Sequence, residues 1–243
     1  MTGRVALITG GSRGIGRAIA ERLARDGFDI AITYARNADA ARSVTDAAEK
    51  LGRKALAIQS DSGNLENNEA LVGKVVKGLG RLDVLVCNAG AYPYGGPDEM
   101  KLEDITRTLD LNLRGVIVES VAAARVIPKG GRIILIGSAF GERVPVPGIS
   151  IYAATKAGLV GFAKGLARDL GPKGITVNVI QPGPIDTELN PADGAASDAL
   201  RAQLAIPAYG EVSDVADLVG FVASERASYI TGTALSVDGG LTA

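Results

Sequence analysis

A chain of 243 residues is long enough for one well-filled α/β core or two small domains, and 47% apolar with 22% charged residues is the balance of an ordinary globular protein. A formal net charge of -1 argues against nucleic acid or an anionic membrane as a partner drawn in by the whole-protein field. The absence of histidine excludes a Ser-His-Asp triad and any imidazole base, and one cysteine, Cys87, permits neither an internal disulfide nor a closed zinc site, so acid-base work falls to Asp, Glu, Lys or Tyr.

Short β-branched apolar runs recur along the chain at 4–9, 28–33, 54–59, 82–87, 132–137, 175–180 and 234–237. Most are apolar on both faces, the pattern of parallel strands covered by helices on each side. Helical segments lie between them. Residues 14–27 place Ile15, Ile19, Ala20 and Leu23 on one face and end at Gly27, and residues 38–52 end likewise at Gly52, where a helix terminus favours a left-handed residue. The longest helical segments are 101–127 and 150–170. Alternating strands and helices imply right-handed βαβ units, hence one doubly wound α/β domain over 1–243 around a parallel sheet of about seven strands. The only long irregular stretch, 182–210, has the length of a lid or binding loop.

Thr9-Gly10-Gly11-Ser12-Arg13-Gly14-Ile15-Gly16 follows the first strand and opens the first helix. In that context Gly10 allows the sharp turn, Gly14 lets a diphosphate approach the backbone, and Gly16 lets the helix pack closely on the sheet, while the helix N-terminus favours negative charge. The second strand then ends in Thr33-Tyr34-Ala35-Arg36-Asn37, with no carboxylate to hold ribose hydroxyls. Arg36 and Arg13 suit a 2′-phosphate, which selects NADP(H); the bland alternative is two solvated arginines near a loop.

Tyr152 and Lys156 stand four residues apart and share a helix face. A free phenol titrates near 10 and is a poor acid or base at neutrality; one ammonium at about 4 Å supplies stabilisation of phenolate of the order required. Taken alone, the pair is equally an amphipathic helix face carrying a half-buried Tyr and a surface Lys. Ser138 ends the fifth strand, at the carboxyl edge where open α/β sheets place ligands, and its hydroxyl can donate to a developing oxyanion.

Thr9 to Gly16, Asp61, Asn88-Ala89-Gly90, Asn112, Ser138, Tyr152-x-x-x-Lys156 and Pro182-Gly183 occur in the order found in the short-chain dehydrogenase/reductase family, which the chain resembles over residues 4–240. The resemblance implies hydride transfer between nicotinamide and a carbonyl carbon. Ser138 would polarise the oxygen and Tyr152 pass the proton. Lys156 would lower the Tyr152 pKa and bind the nicotinamide ribose, and Asn112 would complete a proton relay. It also implies cofactor contacts from Gly10, Ser12, Arg13, Gly14, Ile15, Gly16, Tyr34, Arg36, Asp61 (at the adenine), Asn88, Ala89, Gly90, Tyr152, Lys156, Pro182, Gly183, Ile185 and Thr187. Cys87 stands where the family has the first Asn of Asn-Asn-Ala-Gly, and is read as packing rather than as a nucleophile.

Candidate substrate-wall residues are Tyr92, Tyr94, Phe140, Val146, Ile149, Leu189 and Tyr209, which suit an apolar ketone or aldehyde. The chain looks most like the 3-oxoacyl-carrier-protein reductases of the family. The run "GITVNVIQPGPIDTELNPADG" resembles a branch that includes a cyclic-di-GMP-binding biofilm-dispersal protein, so a nucleotide-sensing regulator on the same scaffold is the rival reading. The family further implies a homotetramer. No signal-peptide zones or bilayer-length apolar run are visible, so a cytoplasmic location with a small-molecule partner is expected.

Overall fold

The computed structural model describes residues 3–194 and 197–243. Seven strands are described: β1 (Val5–Ile8), β2 (Asp29–Tyr34), β3 (Ala55–Gln59), β4 (Val84–Cys87), β5 (Arg132–Ile136), β6 (Thr176–Pro182) and β7 (Ala234–Val237). All pair in parallel in the order β3-β2-β1-β4-β5-β6-β7. Strand order therefore reverses between β1 and β4, and a crevice opens beyond their carboxyl ends.

Alternation along each strand divides the core into two layers. Val5, Leu7, Leu85 and Cys87 face helices α3 (Leu65–Leu79), α5 (Gly115–Ala124) and α6 (Ser150–Leu170), through Leu71, Val75, Val116, Leu159 and Ala163. Ala6, Ile8, Val84 and Val86 face α1 (Gly14–Arg25), α2 (Ala38–Lys50) and α8 (Val212–Ala223), through Ile19, Leu23, Val44, Val215 and Val219. A strand buried on both faces favours apolar residues at successive positions, which is why runs such as β1 and β4 read as continuous rather than alternating.

The helix ends follow their local chemistry. Asn37 and Asn64 accept from the backbone N–H of Ala40 and Asn67, at 2.9 and 3.1 Å, and cap α2 and α3. Gly27, Gly52 and Gly80 take the left-handed conformation after α1, α2 and α3. The segment expected as one helix over 101–127 is α4 (Leu102–Leu109) running without a break into α5 through one π-helical turn, Asp110–Arg114. The expected irregular stretch 182–210 begins as the end of β6 and carries a short helix, α7 (Ser197–Arg201); residues 195–196 of it lie outside the described residues. No helix among the described residues is long and apolar enough to cross a membrane.

Candidate active site

The glycine turn after β1 is braced by hydroxyls and one amide. Gly10 N donates to Thr33 Oγ1 at 2.9 Å, and Thr9 Oγ1 accepts from the N–H groups of Asn88 and Ala89, both at 3.1 Å. Asn88 Nδ2 donates to Thr9 O at 2.9 Å and to Gly10 O at 3.2 Å, tying the end of β4 to the turn. Gly10 and Gly14 have φ of 63° and 51°, where a side chain is strained. A Cβ on Gly16 would lie 2.4 Å from both Asn88 Nδ2 and Gly10 O. The close approach at Gly16 is thus between helix and turn, rather than helix and sheet as the motif suggested. At Gly14 an added Cβ would make ordinary contacts, with Thr187 and Glu188 at 3.6 and 3.7 Å, so positive φ rather than crowding is what favours glycine there. The loop after β6 therefore leans over the turn, with Thr187 and Glu188 beside Gly14 at its mouth.

On the outer side of that mouth, Arg13 immediately precedes α1 and Arg36 lies two residues past β2. Both are exposed, and neither side chain has a hydrogen-bond or ion-pair partner among the described residues. Tyr34 is half-buried at the end of β2. Asp61, the expected adenine contact, is exposed just past β3, and its Oδ1 already accepts from Gly63 N at 3.0 Å.

The four expected catalytic residues converge beyond β4 and β5. Ser138 is buried two residues past β5, and its Oγ accepts from Phe140 N at 3.1 Å. Tyr152 and Lys156 lie in the first two turns of α6. The Lys156 ammonium donates to Ile136 O at 2.8 Å and stands 5.7 Å from the Tyr152 ring centre. Asn112, fully buried, occupies the π-helical turn. Its amide closes a two-bond ring with Ala91, accepting from Ala91 N at 2.9 Å and donating to Ala91 O at 2.9 Å. Asn112 Nδ2 also approaches Thr155 Oγ1 at 3.5 Å, and Thr155 in turn donates to Tyr152 O at 2.7 Å. A π turn carries one extra residue per hydrogen-bonded loop and so re-aims a side chain inside an otherwise regular helix.

Burial pushes the Tyr152 phenol above its ordinary value, with the Ser138 hydroxyl pulling it back down. The Lys156 ammonium is turned to the Ile136 carbonyl, and burial brings Lys156 itself down to about 8. Cys87, behind Lys156, is buried and its thiol is pushed well above the usual range by burial first, which fits packing rather than nucleophilic chemistry.

Of the expected substrate wall, Tyr92 and Phe140 gather at Tyr152: the Tyr92 ring meets Tyr152 edge-on at 4.8 Å and tilts against Phe140 at 6.3 Å. Tyr94 is exposed and packs over Gly148, and Gly95 N donates to Gly148 O at 2.9 Å, joining the two loops. Tyr209 packs beneath Arg201 at 5.2 Å and, with Tyr94, is close enough to Tyr92 to disfavour its ionisation. Val146 is half-buried, Ile149 is buried just before α6, and Leu189 is exposed on the loop after β6. Sequence reasoning missed Thr33, Ala91 and Ile136. Thr33, a hydroxyl at the end of an apolar strand, carried a legible signal; the other two act through backbone groups, which carry none.

Against known proteins, a family model described as "Enoyl-(Acyl carrier protein) reductase" matches residues 10–242. A solved short-chain dehydrogenase from Burkholderia cenocepacia J2315 in complex with NADP superimposes with a TM-score of 0.98 at 52% identity, covering 99% of this chain and 98% of that one. The cyclic-di-GMP-binding biofilm dispersal mediator protein of Escherichia coli K12 is 45% identical over 98% of this chain and 97% of its own. A 3-oxoacyl-(acyl-carrier-protein) reductase of Staphylococcus aureus is 37% identical over 97% of each.

Proposed function

This chain belongs to the short-chain dehydrogenase/reductase family, and from that membership we propose that it is an NADP(H)-dependent carbonyl reductase. The reaction is hydride transfer between C4 of the nicotinamide and the carbonyl carbon of a ketone or aldehyde, or the reverse from the secondary alcohol. The observation that carries this reading is the convergence of Asn112, Ser138, Tyr152 and Lys156 beside the crevice between β1 and β4.

The residues at the mouth fit the dinucleotide. Gly14 has no side chain to keep a ligand from the backbone N–H groups at the N-terminus of α1, which favour a diphosphate, and the exposed Arg13 and Arg36 supply charge for a 2′-phosphate. NADPH, when bound, supplies the hydride. Ser138 Oγ holds the substrate oxygen and Tyr152 gives up the phenolic proton to it. Lys156 binds ribose hydroxyls and re-protonates Tyr152, and Asn112 fixes the backbone at Ala91 and completes the proton relay. The Lys156 ammonium, on the same helix face as Tyr152, would stabilise the phenolate left when the proton departs.

The relative from Escherichia coli supports a second reading, a nucleotide-sensing regulator that binds cyclic di-GMP on the same scaffold. A sensor has no need of the complete set of four, which favours the enzyme. Reduction of a 3-oxoacyl-carrier-protein thioester is the alternative within the enzyme class, supported by the Staphylococcus aureus relative. We further propose a homotetramer in the cytoplasm. The exposed small residues Ala154, Ala157 and Gly161 along α6 support close self-association, and a single buried cysteine suits a reducing compartment.

The test is oxidation of NADPH and NADH with a panel of ketones, aldehydes and a 3-oxoacyl thioester. Turnover by the natural sequence and none by Tyr152→Phe, with NADPH affinity kept, is the expected result. Turnover that survives Tyr152→Phe removes Tyr152 from the acid role, and tight cyclic di-GMP binding without any turnover favours the regulator.

A further inference from the structure

We propose that Tyr92 is a positioning residue for the proton donor: its ring covers Tyr152 edge-on, held there by the clamp of Asn112 on the backbone of Ala91. The inference rests on the reading of Tyr152 as the acid and adds a residue that composition and motif leave among generic wall positions.

The chain of contacts is short. Asn112 grips both the N–H and the C=O of Ala91 at 2.9 Å, so the residue that follows, Tyr92, leaves the clamp in a fixed direction. Its ring meets Tyr152 at 4.8 Å with an interplanar angle of 77°, an edge-to-face contact. Phe140 backs the Tyr92 ring from the turn that follows Ser138. Tyr92 is nevertheless 42% exposed, so part of its ring meets solvent while the rest packs on Tyr152.

Shielding has a definite electrostatic sign. The groups facing Tyr152 are Ser138 from the end of β5, Lys156 from its own helix and Tyr92 from the loop after β4. Cys87 lies behind Lys156, and Tyr94 and Tyr209 lie beside Tyr92. Burial is the largest influence on the Tyr152 phenol and raises it. Taking away the covering ring admits water, which stabilises phenolate and lowers the midpoint. Tyr92 does not titrate in competition, because burial and the neighbouring Tyr152 push it up to about 12.

The experiment follows phenolate absorbance against pH, with the protein alone and saturated with NADP+. Each variant is paired with the same variant carrying Tyr152→Phe, so that the difference isolates Tyr152. Tyr92→Phe keeps the cover and is expected to leave the midpoint in place. Tyr92→Ala is expected to lower it by about one pH unit, and Tyr92→Val by less in the same direction. A midpoint for Tyr92→Ala and Tyr92→Val within about 0.2 units of the natural protein overturns the proposal, as does a Tyr92→Phe shift as large as that of alanine. Should the alanine variant not fold, the valine variant decides alone. A purely structural Tyr92 lowers turnover without moving the midpoint and overturns the proposal too. Failure of the catalytic reading is a separate result, turnover that survives Tyr152→Phe.

Discussion

Replacing Asn112 with alanine tests how the π-helical turn joins the two sides of the site. The side chain is fully buried and makes two hydrogen bonds of 2.9 Å to Ala91, with a weaker approach to Thr155 at 3.5 Å. At about 1 kcal/mol net for each good bond, and little for the long one, the loss comes to about 2 kcal/mol. Ala91 is exposed, so water re-satisfies its N–H and C=O and no further desolvation penalty is added. For a chain of this length that is a fall in Tm of about 4–8 °C, read by calorimetry or circular dichroism. Turnover is expected to fall by about a hundredfold, more than stability alone explains, because the loop carrying Tyr92 loses its anchor opposite Tyr152. Asn112→Asp separates size from bonding. It fits the same space and still accepts from Ala91 N, but it sets a carboxylate oxygen against Ala91 O, and it is expected to lose as much Tm as alanine does. A Tm within about 1 °C of the natural protein in both variants refutes the clamp, since losing two such bonds is expected to cost about 4–8 °C.

Arg13→Ala combined with Arg36→Ala is expected to weaken NADPH binding by about a hundredfold or more while leaving NADH nearly unchanged, since each charge-assisted bond to a phosphate is worth about 1.5–3 kcal/mol. Equal losses for the two cofactors, by fluorescence titration, contradict the 2′-phosphate role. Glu119, buried in α5, provides a pH test of stability. Its carboxyl is raised by burial from an ordinary 4.5 to about 8, and its Oε1 has no partner among the described residues. The folded chain then binds a proton that the unfolded chain has released, so stability falls as pH rises between those two values and is level above them. Glu119→Gln removes that slope: it is expected to match the natural protein near about pH 4.5 and to exceed it above about pH 8 by at most about 4 kcal/mol. Thermal melts across this range that run parallel for the two proteins rule it out.

Much of the architecture is legible in the chain itself. Strands buried on both faces are mostly apolar on both, as in β1 and β4, so runs of that kind separated by helical periodicity already imply a parallel sheet covered on both sides. The turn of Thr9 to Gly16 is legible for a similar reason: positive φ at Gly10 and Gly14, and an approach of 2.4 Å at Gly16, admit almost no other residue. Tyr152 and Lys156 could be placed on one face from their spacing alone.

What the sequence left open was decided by contacts between distant segments. Nothing in "DLNLR" announces a π turn, yet that turn aims Asn112 at Ala91, 21 residues away. The Lys156 ammonium meets a carbonyl at the end of β5, 20 residues away, and burial is the largest influence on both Tyr152 and Lys156. Tyr92 was one aromatic among several candidate wall residues until the fold set its ring against Tyr152. Periodicity and glycine geometry are local constraints and are written in the order of residues. Hydrogen bonding to backbone carbonyls and the loss of water around an ionisable group depend on which segments meet, and only the tertiary structure decides that.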